Sequence, residues 1–176
     1  LIGGDNVIVS LEASYSVSNE LIDVWRARED TYVRFWEDRF VQTQGYLKIM
    51  GEAISGLLEK TKLSPRDFSK LVIYGHDGRR PLELARSLGF DTKAQLRDML
   101  LDLMGNTGTA YPFMLLVAAL EEARAGDKIL WASYGNGSDA FVLGVGEGIE
   151  KARDRRGIKA HLESKRMVPD YLTYLK

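Results

Sequence analysis

From Ala110 to Leu120 the chain reads Ala-Tyr-Pro-Phe-Met-Leu-Leu-Val-Ala-Ala-Leu, with almost no polar side chain. The segment predicts a helix over 107–124, brought to the surface by Glu121, Glu122 and Arg124. A helix that is apolar on every side is buried on every side. It does not suit a bilayer. The uncharged stretch from Leu103 to Leu120 is interrupted by Gly105, Asn106, Gly108 and Pro112, and its apolar part is shorter than the roughly 20 residues a span needs. The expectation is a helix sandwiched between two sheets, with the second sheet outside this chain.

The flanking segments fit that layering. Residues 6–13 are rich in β-branched side chains and predict a strand. Residues 15–44 form an aromatic and charged excursion containing Trp25, Tyr32, Phe35, Trp36 and Phe40, expected to hold some helix and to cover core or a dimer contact. Leu47, Met50, Ile54, Leu57 and Leu58 recur at helical spacing, which predicts an amphipathic helix over 45–60. Ser64-Pro65 reads as a cap and first turn. The run 70–74 predicts a buried strand, 75–78 a turn, and 81–88 a helix stopped by Gly89. Another helix is expected over 92–103. Residues 128–134 and 139–145 predict two strands joined by Gly135-Asn136-Gly137-Ser138, which has strong hairpin chemistry. A basic tail, 148–176, ends in Tyr171 and Tyr174, expected to dock it. Alternation of strands and helices implies an α/β fold.

Several function classes drop out. The formal net charge of −1 argues against a general nucleic-acid surface, which needs a basic excess. The absence of cysteine excludes disulfides, thiolate metal sites and a cysteine nucleophile within this chain. No cluster has metal-ligand spacing. No basic-then-apolar signal peptide opens the chain, which begins with Leu1 inside an apolar phrase as though cut from a longer protein.

The residues that could carry chemistry are few. His76 follows a buried strand, where active residues of open α/β sheets gather. A neutral imidazole there could donate a hydrogen bond or move a proton; it could equally be a polar turn residue beside Asp77. Asn106 precedes the apolar helix. Its amide could donate to a substrate carbonyl, and asparagine is also a favoured N-cap. Gly135 to Ser138 can be read as a tight hairpin or as backbone brought close to a substrate. Arg79 and Arg80 could fork onto phosphates or form a solvated face. His161 reads as an ordinary surface residue of the tail.

Three phrases in order carry a resemblance. Lys70-Leu71-Val72-Ile73-Tyr74-Gly75-His76 precedes a helix that ends in Leu88-Gly89-Phe90. Gly105-Asn106-Thr107-Gly108-Thr109-Ala110 leads into the apolar helix. Gly126-Asp127-Lys128-Ile129-Leu130-Trp131-Ala132-Ser133-Tyr134-Gly135 is followed by Ser138-Asp139-Ala140-Phe141. Together they resemble the active-site histidine, the asparagine turn and the glycine hairpin of the thiolase superfamily. The branch they resemble is the archaeal-type 3-hydroxy-3-methylglutaryl-CoA synthases and the related 3-ketoacyl-acyl-carrier-protein synthase III enzymes. Trp25-Arg26 and Trp36-Glu37-Asp38-Arg39-Phe40 also look like that branch. Two departures stand out: Gly78 occupies the place where the synthases usually have proline, and the hairpin is short.

The resemblance implies a C-terminal thiolase-like domain over 1–176, a mixed sheet with helices on both faces and a buried central helix. The N-terminal half, with its nucleophilic cysteine, would be absent. It implies an acyl-CoA condensing acyltransferase, with His76 and Asn106 catalytic, Gly135, Asn136, Gly137 and Ser138 forming a substrate loop, and Arg79 and Arg80 touching coenzyme A. No permanent cofactor is expected; the substrate would be a coenzyme A or acyl-carrier thioester. The expected partners are the protein's own N-terminal half and a second copy, in the cytoplasm. The alternative is a non-catalytic thiolase-like module that stabilises a partner or channels acyl-CoA.

Overall fold

A computed structural model describes residues 3–4, 7–75, 77–152 and 156–175. The strands are β1 (Val9–Ser18), β2 (Val24–Trp25), β3 (Arg34–Phe35), β4 (Lys70–Ile73), β5 (Lys128–Gly135) and β6 (Gly137–Val145). The helices are α1 (Asp38–Phe40), α2 (Lys48–Thr61), α3 (Arg79–Ser87), α4 (Leu101–Met104), α5 (Tyr111–Leu120), α6 (Ile149–Ala152), α7 (Ile158–Glu163) and α8 (Tyr171–Tyr174). A π-helical stretch, Val41–Leu47, joins α1 to α2.

Four strands form one mixed sheet in the order β1-β6-β5-β4. β1 and β5 run antiparallel to β6, and β4 runs parallel to β5. Side chains of a strand alternate between faces, and β4 and β5 use both. Leu71, Ile73, Leu130 and Ala132 join one core with Tyr46, Ile49, Met50, Ile54 and Leu57. Val72, Ile129 and Trp131 join the other with Tyr111, Leu115 and Ala119. The helix with periodic apolar residues, α2, therefore covers one face, and α5 covers the other. Ile49, Met50, Ile54 and Leu57 are at most 1 % exposed, and each such burial stabilises by about 2–3 kcal/mol. The expected α/β layering, mixed sheet and two helical faces are all present.

The differences have local causes. β1 starts at Val9 and runs on to Ser18 rather than stopping at Ala13, because Ser14 to Ser18 continue the ladder onto β6. The excursion shrinks accordingly and holds a small β2/β3 ribbon before the long helix begins at Asp38. Its aromatics are not core of this chain: Tyr32, Phe35 and Trp36 are exposed. The helix expected over 92–103 is a series of turns that includes a parallel bridge from Leu96 to Leu71. The Gln95 carbonyl and the Arg97 N–H bond Leu71, and Leu100 at φ 53 keeps only α4 helical. Tyr171 and Tyr174 do not dock the tail; they stack on each other at 6.0 Å and stay exposed. In line with a second sheet outside this chain, α5 is buried on one face only. Tyr111, Leu115 and Ala119 pack with the sheet and Ala118 is also buried, whereas Phe113 is 59 % and Val117 41 % exposed.

Candidate active site

Three loops bear the predicted residues: the exit of β4, the turn before α5, and the β5/β6 hairpin. The structure joins the first to the third, and the first to the start of α5, through tyrosines. The Tyr74 hydroxyl donates to the Tyr134 carbonyl at 2.6 Å, so a residue two before His76 is tied to the residue just before Gly135. The Tyr46 hydroxyl donates to the Tyr74 carbonyl at 2.5 Å. Tyr111, the first residue of α5, meets the Tyr74 ring edge-on at 5.9 Å, and its hydroxyl donates to the Met99 carbonyl at 2.7 Å.

The ionisation of these phenols reports their surroundings. Burial pushes Tyr74 up to about 12, with the Asp23 carboxylate adding to it. Burial does the same to Tyr111, also to about 12, assisted by Asp98. Tyr46 and Tyr134 are raised as well, burial again the largest cause. All four are neutral hydroxyls at physiological pH, suited to holding carbonyls in place. Their spacing in the sequence gives no sign of these links, although each of Tyr74, Tyr111 and Tyr134 lies within five residues of a predicted site residue.

Asn106 is exposed at the mouth of α5. Its carboxamide oxygen accepts from the Gly108 N–H at 2.9 Å. This is an Asx-type turn leading into the 3-10 turn Gly108–Ala110, whose own cap residue is Thr107; the bond uses only the oxygen, so the amide nitrogen can still donate. The N-cap place expected of it falls instead to Thr107 for the turn and to Ala110 for α5, neither with a side-chain bond.

In the hairpin, Gly135 pairs with Gly137 across Asn136. Gly135 and Asn136 are exposed, beside a recess of about 320 Å³ that Ser16, Ser18 and Asp139 also line. Gly137 has a structural duty. Its φ is +126, and a Cβ there would overlap the Val17 carbonyl oxygen of β1 and lie 3.1 Å from Ser18 Cα. Ser138 faces inward: its hydroxyl donates to the Ser133 carbonyl at 2.9 Å and touches the Met50 sulfur at 3.1 Å. The expected substrate loop is thus divided, with two residues outward and two inward.

His76 lies outside the described residues. Beside it, the Asp77 carboxylate accepts from the Arg79 and Arg80 N–H groups, both at 2.9 Å, at the head of α3. These amides hold its ionisation below the usual carboxylate range although burial opposes them. The Arg80 guanidinium meets Glu83 at 2.8 Å, while the Arg79 side chain is 90 % exposed and reaches Asp77 only at 3.9 Å; of the pair, Arg79 is the one open to a phosphate. His161 is exposed on α7, as expected. Among the described residues no acidic, histidine or cysteine cluster could hold a metal, and no helix is long and apolar enough to cross a membrane. The excursion builds a second concavity of about 760 Å³ from Leu21, Ile22, Trp25, Trp36 and Phe40, its tryptophans 5.3 Å apart.

No family model matches the chain. Sequence comparison finds hydroxymethylglutaryl-CoA synthases. That of Methanopyrus kandleri is 34 % identical over the whole chain, which matches 51 % of that protein. That of Methanothermobacter thermautotrophicus is also 34 % identical over the whole chain and 51 % of its own length. Among solved structures, an HMG-CoA synthase complexed with CoA superposes with a TM-score of 0.71 at 18 % identity, over 89 % of this chain and 44 % of that one. The 3-oxoacyl-[acyl-carrier-protein] synthase III of Aquifex aeolicus gives 0.66 at 20 % identity, over 80 % and 46 %. The chain spans about half the length of the curated relatives it matches. Along its whole length the chain is similar in sequence to about half the length of hydroxymethylglutaryl-CoA synthases, and its fold matches one half of a thiolase-like fold.

Proposed function

We propose that this chain is the C-terminal half of an acyl-CoA condensing acyltransferase of the hydroxymethylglutaryl-CoA synthase type, forming a carbon–carbon bond between acyl thioesters. One observation carries the reading. In a chain similar along its length to such synthases, Asn106 keeps an amide donor at the mouth of α5, and Tyr111 and Tyr74 link that helix to the exit of β4 and the glycine hairpin.

Condensation of this kind needs a thiolate to carry an acyl group, a base to remove a proton beside a thioester carbonyl, and donors for the oxygen that becomes negative. This chain has no cysteine, so the other half supplies the thiolate. The Asn106 amide nitrogen donates to the thioester carbonyl oxygen as charge builds there. His76 is the second donor and assists proton transfer. Gly135 and Asn136 border the substrate, and Arg79 meets the phosphates of coenzyme A, which is a substrate and not a resident cofactor.

The other half also covers the open face of α5. Phe113 and Val117, four residues apart, are exposed in a chain half as long as its relatives. A second copy completing a homodimer and a cytoplasmic setting complete the proposal. The non-catalytic alternative gains no support, since the relatives reported above are synthases.

The test is Asn106→Ala in protein containing both halves. Loss of one oxyanion donor lowers kcat by about a hundredfold or more; a condensation rate within a few-fold of the unsubstituted protein refutes the assignment.

A further inference from the structure

The β4/β5 ladder ends at Ile73↔Ala132. β5 continues for three more residues to Gly135, and over that length β4 offers it no ladder partner. The Tyr74 hydroxyl takes up the connection, donating to the Tyr134 carbonyl at 2.6 Å. The backbone of Tyr74 is itself held from below, because the fully buried Tyr46 donates to its carbonyl at 2.5 Å. Tyr74 also lies between the two cores, packed against both. A shift of its ring would therefore be felt by α2 on one side and by Tyr111 of α5 on the other.

We infer that Tyr74 is a positioning residue, whose hydroxyl sets the height of the glycine hairpin relative to the β4 exit and to Asn106. This rests on the condensing function proposed above, and it adds to that reading which group holds the substrate loop in register. Tyr74 does not touch the reacting atoms. It acts through Tyr134, whose carbonyl precedes the exposed Gly135 and Asn136. Without the hydroxyl the sheet remains, because α2 and α5 still clamp it, but the hairpin is free to ride on its own pair of strands. Geometry of the bound thioester then loosens while its overall binding does not.

The same two strands provide the control. At their opposite ends the Ser69 hydroxyl donates to the Lys128 carbonyl at 3.0 Å, far along the strands from the hairpin. Tyr74→Phe and Ser69→Ala each delete one hydroxyl bridging β4 to β5. In protein containing both halves, Tyr74→Phe lowers kcat about three- to tenfold, the range one buried hydrogen bond spans. It leaves KM for the acyl thioester within about twofold. Amide hydrogen exchange over 135–138 speeds up about tenfold. Ser69→Ala changes none of the three. If the hairpin exchanges at the unsubstituted rate in Tyr74→Phe, or if both variants alter kcat and KM alike, Tyr74 is an ordinary packing residue and the inference falls. If the unsubstituted protein forms no carbon–carbon bond with any acyl thioester, the proposed function falls instead. Hairpin exchange then decides alone whether the hydroxyl holds the loop.

Discussion

The two glycines that flank Asn136 make opposite predictions. At Gly137 an alanine meets two obstacles. The backbone at φ +126 is one that side-chain-bearing residues occupy at a cost of about 1–3 kcal/mol. The new Cβ would also overlap the Val17 carbonyl oxygen, a backbone atom that no rotamer change can move aside. Relief requires β1 to lift from β6 at Ser18↔Gly137, the last pair of their ladder, forfeiting about one hydrogen bond, or about 1 kcal/mol. The sum is about 3 kcal/mol. For a chain of 176 residues each kcal/mol displaces the melting temperature by about 2–4 °C, so Gly137→Ala melts about 6–12 °C lower. Gly135→Ala meets nothing within 4 Å and melts within about 2 °C of the unsubstituted chain. Thermal unfolding followed by circular dichroism measures both. The pair also separates hairpin geometry from substrate contact. Gly135 has open space in this chain, so a loss of condensation in Gly135→Ala with unchanged stability means that an acyl thioester passes over it. If Gly137→Ala melts like the unsubstituted chain, or Gly135→Ala falls as far, the account of this hairpin is wrong.

Two predictions concern pH. Tyr46, Tyr74, Tyr111 and Tyr134 ionise above the ordinary 10.0, so their neutral forms favour the fold. The stability they contribute is fully present below pH 10 and is lost as pH rises through about 12, where Tyr74 and Tyr111 titrate in place. Tyrosinate absorbance from these four residues should rise only above pH 10, as the folded circular dichroism signal declines; their ionisation at 10 in a folded chain contradicts the burial. At the acid end, Asp67 is held below 3.8 by the Ser64 backbone N–H and Asp91 by the Ala94 and Lys93 N–H groups. Asp77 is lowered by the α3 amides against the opposing effect of burial. Depressed carboxylates stabilise above about pH 4, and that stability disappears as pH falls through their lowered values. The urea midpoint should be level from pH 7 to 5 and drop below 4; a midpoint that holds at pH 3 refutes the capping roles.

What could be read from the sequence was whatever local chemistry decides. The apolar positions of α2, the unbroken run of β4 and the Gly-Asn-Gly joint each determine their own element, and Gly89, left-handed at φ +83, ends α3 where a helix stop was expected. Failures arose where a distant partner decides. Residues 92–103 have helical composition, but the Gln95 side chain donates to the Pro65 and Phe68 carbonyls at 2.7 and 2.6 Å, and its backbone joins Leu71. Competition from those bonds unwinds the segment. Ser14-Tyr15-Ser16-Val17-Ser18 alternates polar and apolar residues as a strand does, a signal hidden by the aromatic run that follows. At the site, Asn106 and the hairpin were visible as motifs. The tyrosine links were not, because a hydroxyl bond from Tyr74 to Tyr134 spans 60 residues and leaves no local periodicity.

The half-covered state of α5 follows from its composition and supplies the sharpest structural test. A helix with no polar face has no solvent side, yet this one shows Phe113 and Val117 to solvent while Leu115, between them, is 1 % exposed. The two faces should respond differently to truncation. Leu115→Ala leaves a cavity in the chain's own core and destabilises it by about 2–5 kcal/mol. Phe113→Ser with Val117→Ser removes little from that core; Phe113 touches Trp131 at a ring distance of 4.9 Å, and the loss should stay under about 1 kcal/mol. What the double substitution removes is area waiting for a partner. About half of a phenylalanine and half of a valine, at about 1.5–3 kcal/mol for a whole side chain, amount to roughly 2 kcal/mol, or about thirtyfold in affinity. Sedimentation velocity of the chain with and without the remaining half measures it. The unsubstituted chain should self-associate alone and form a one-to-one complex when the other half is present. The double variant should be monomeric alone and bind that half about thirtyfold more weakly, with its melting temperature nearly unchanged. A chain that sediments as a monomer and binds the other half equally well with either sequence would show that the exposed side of α5 is not where the two halves meet.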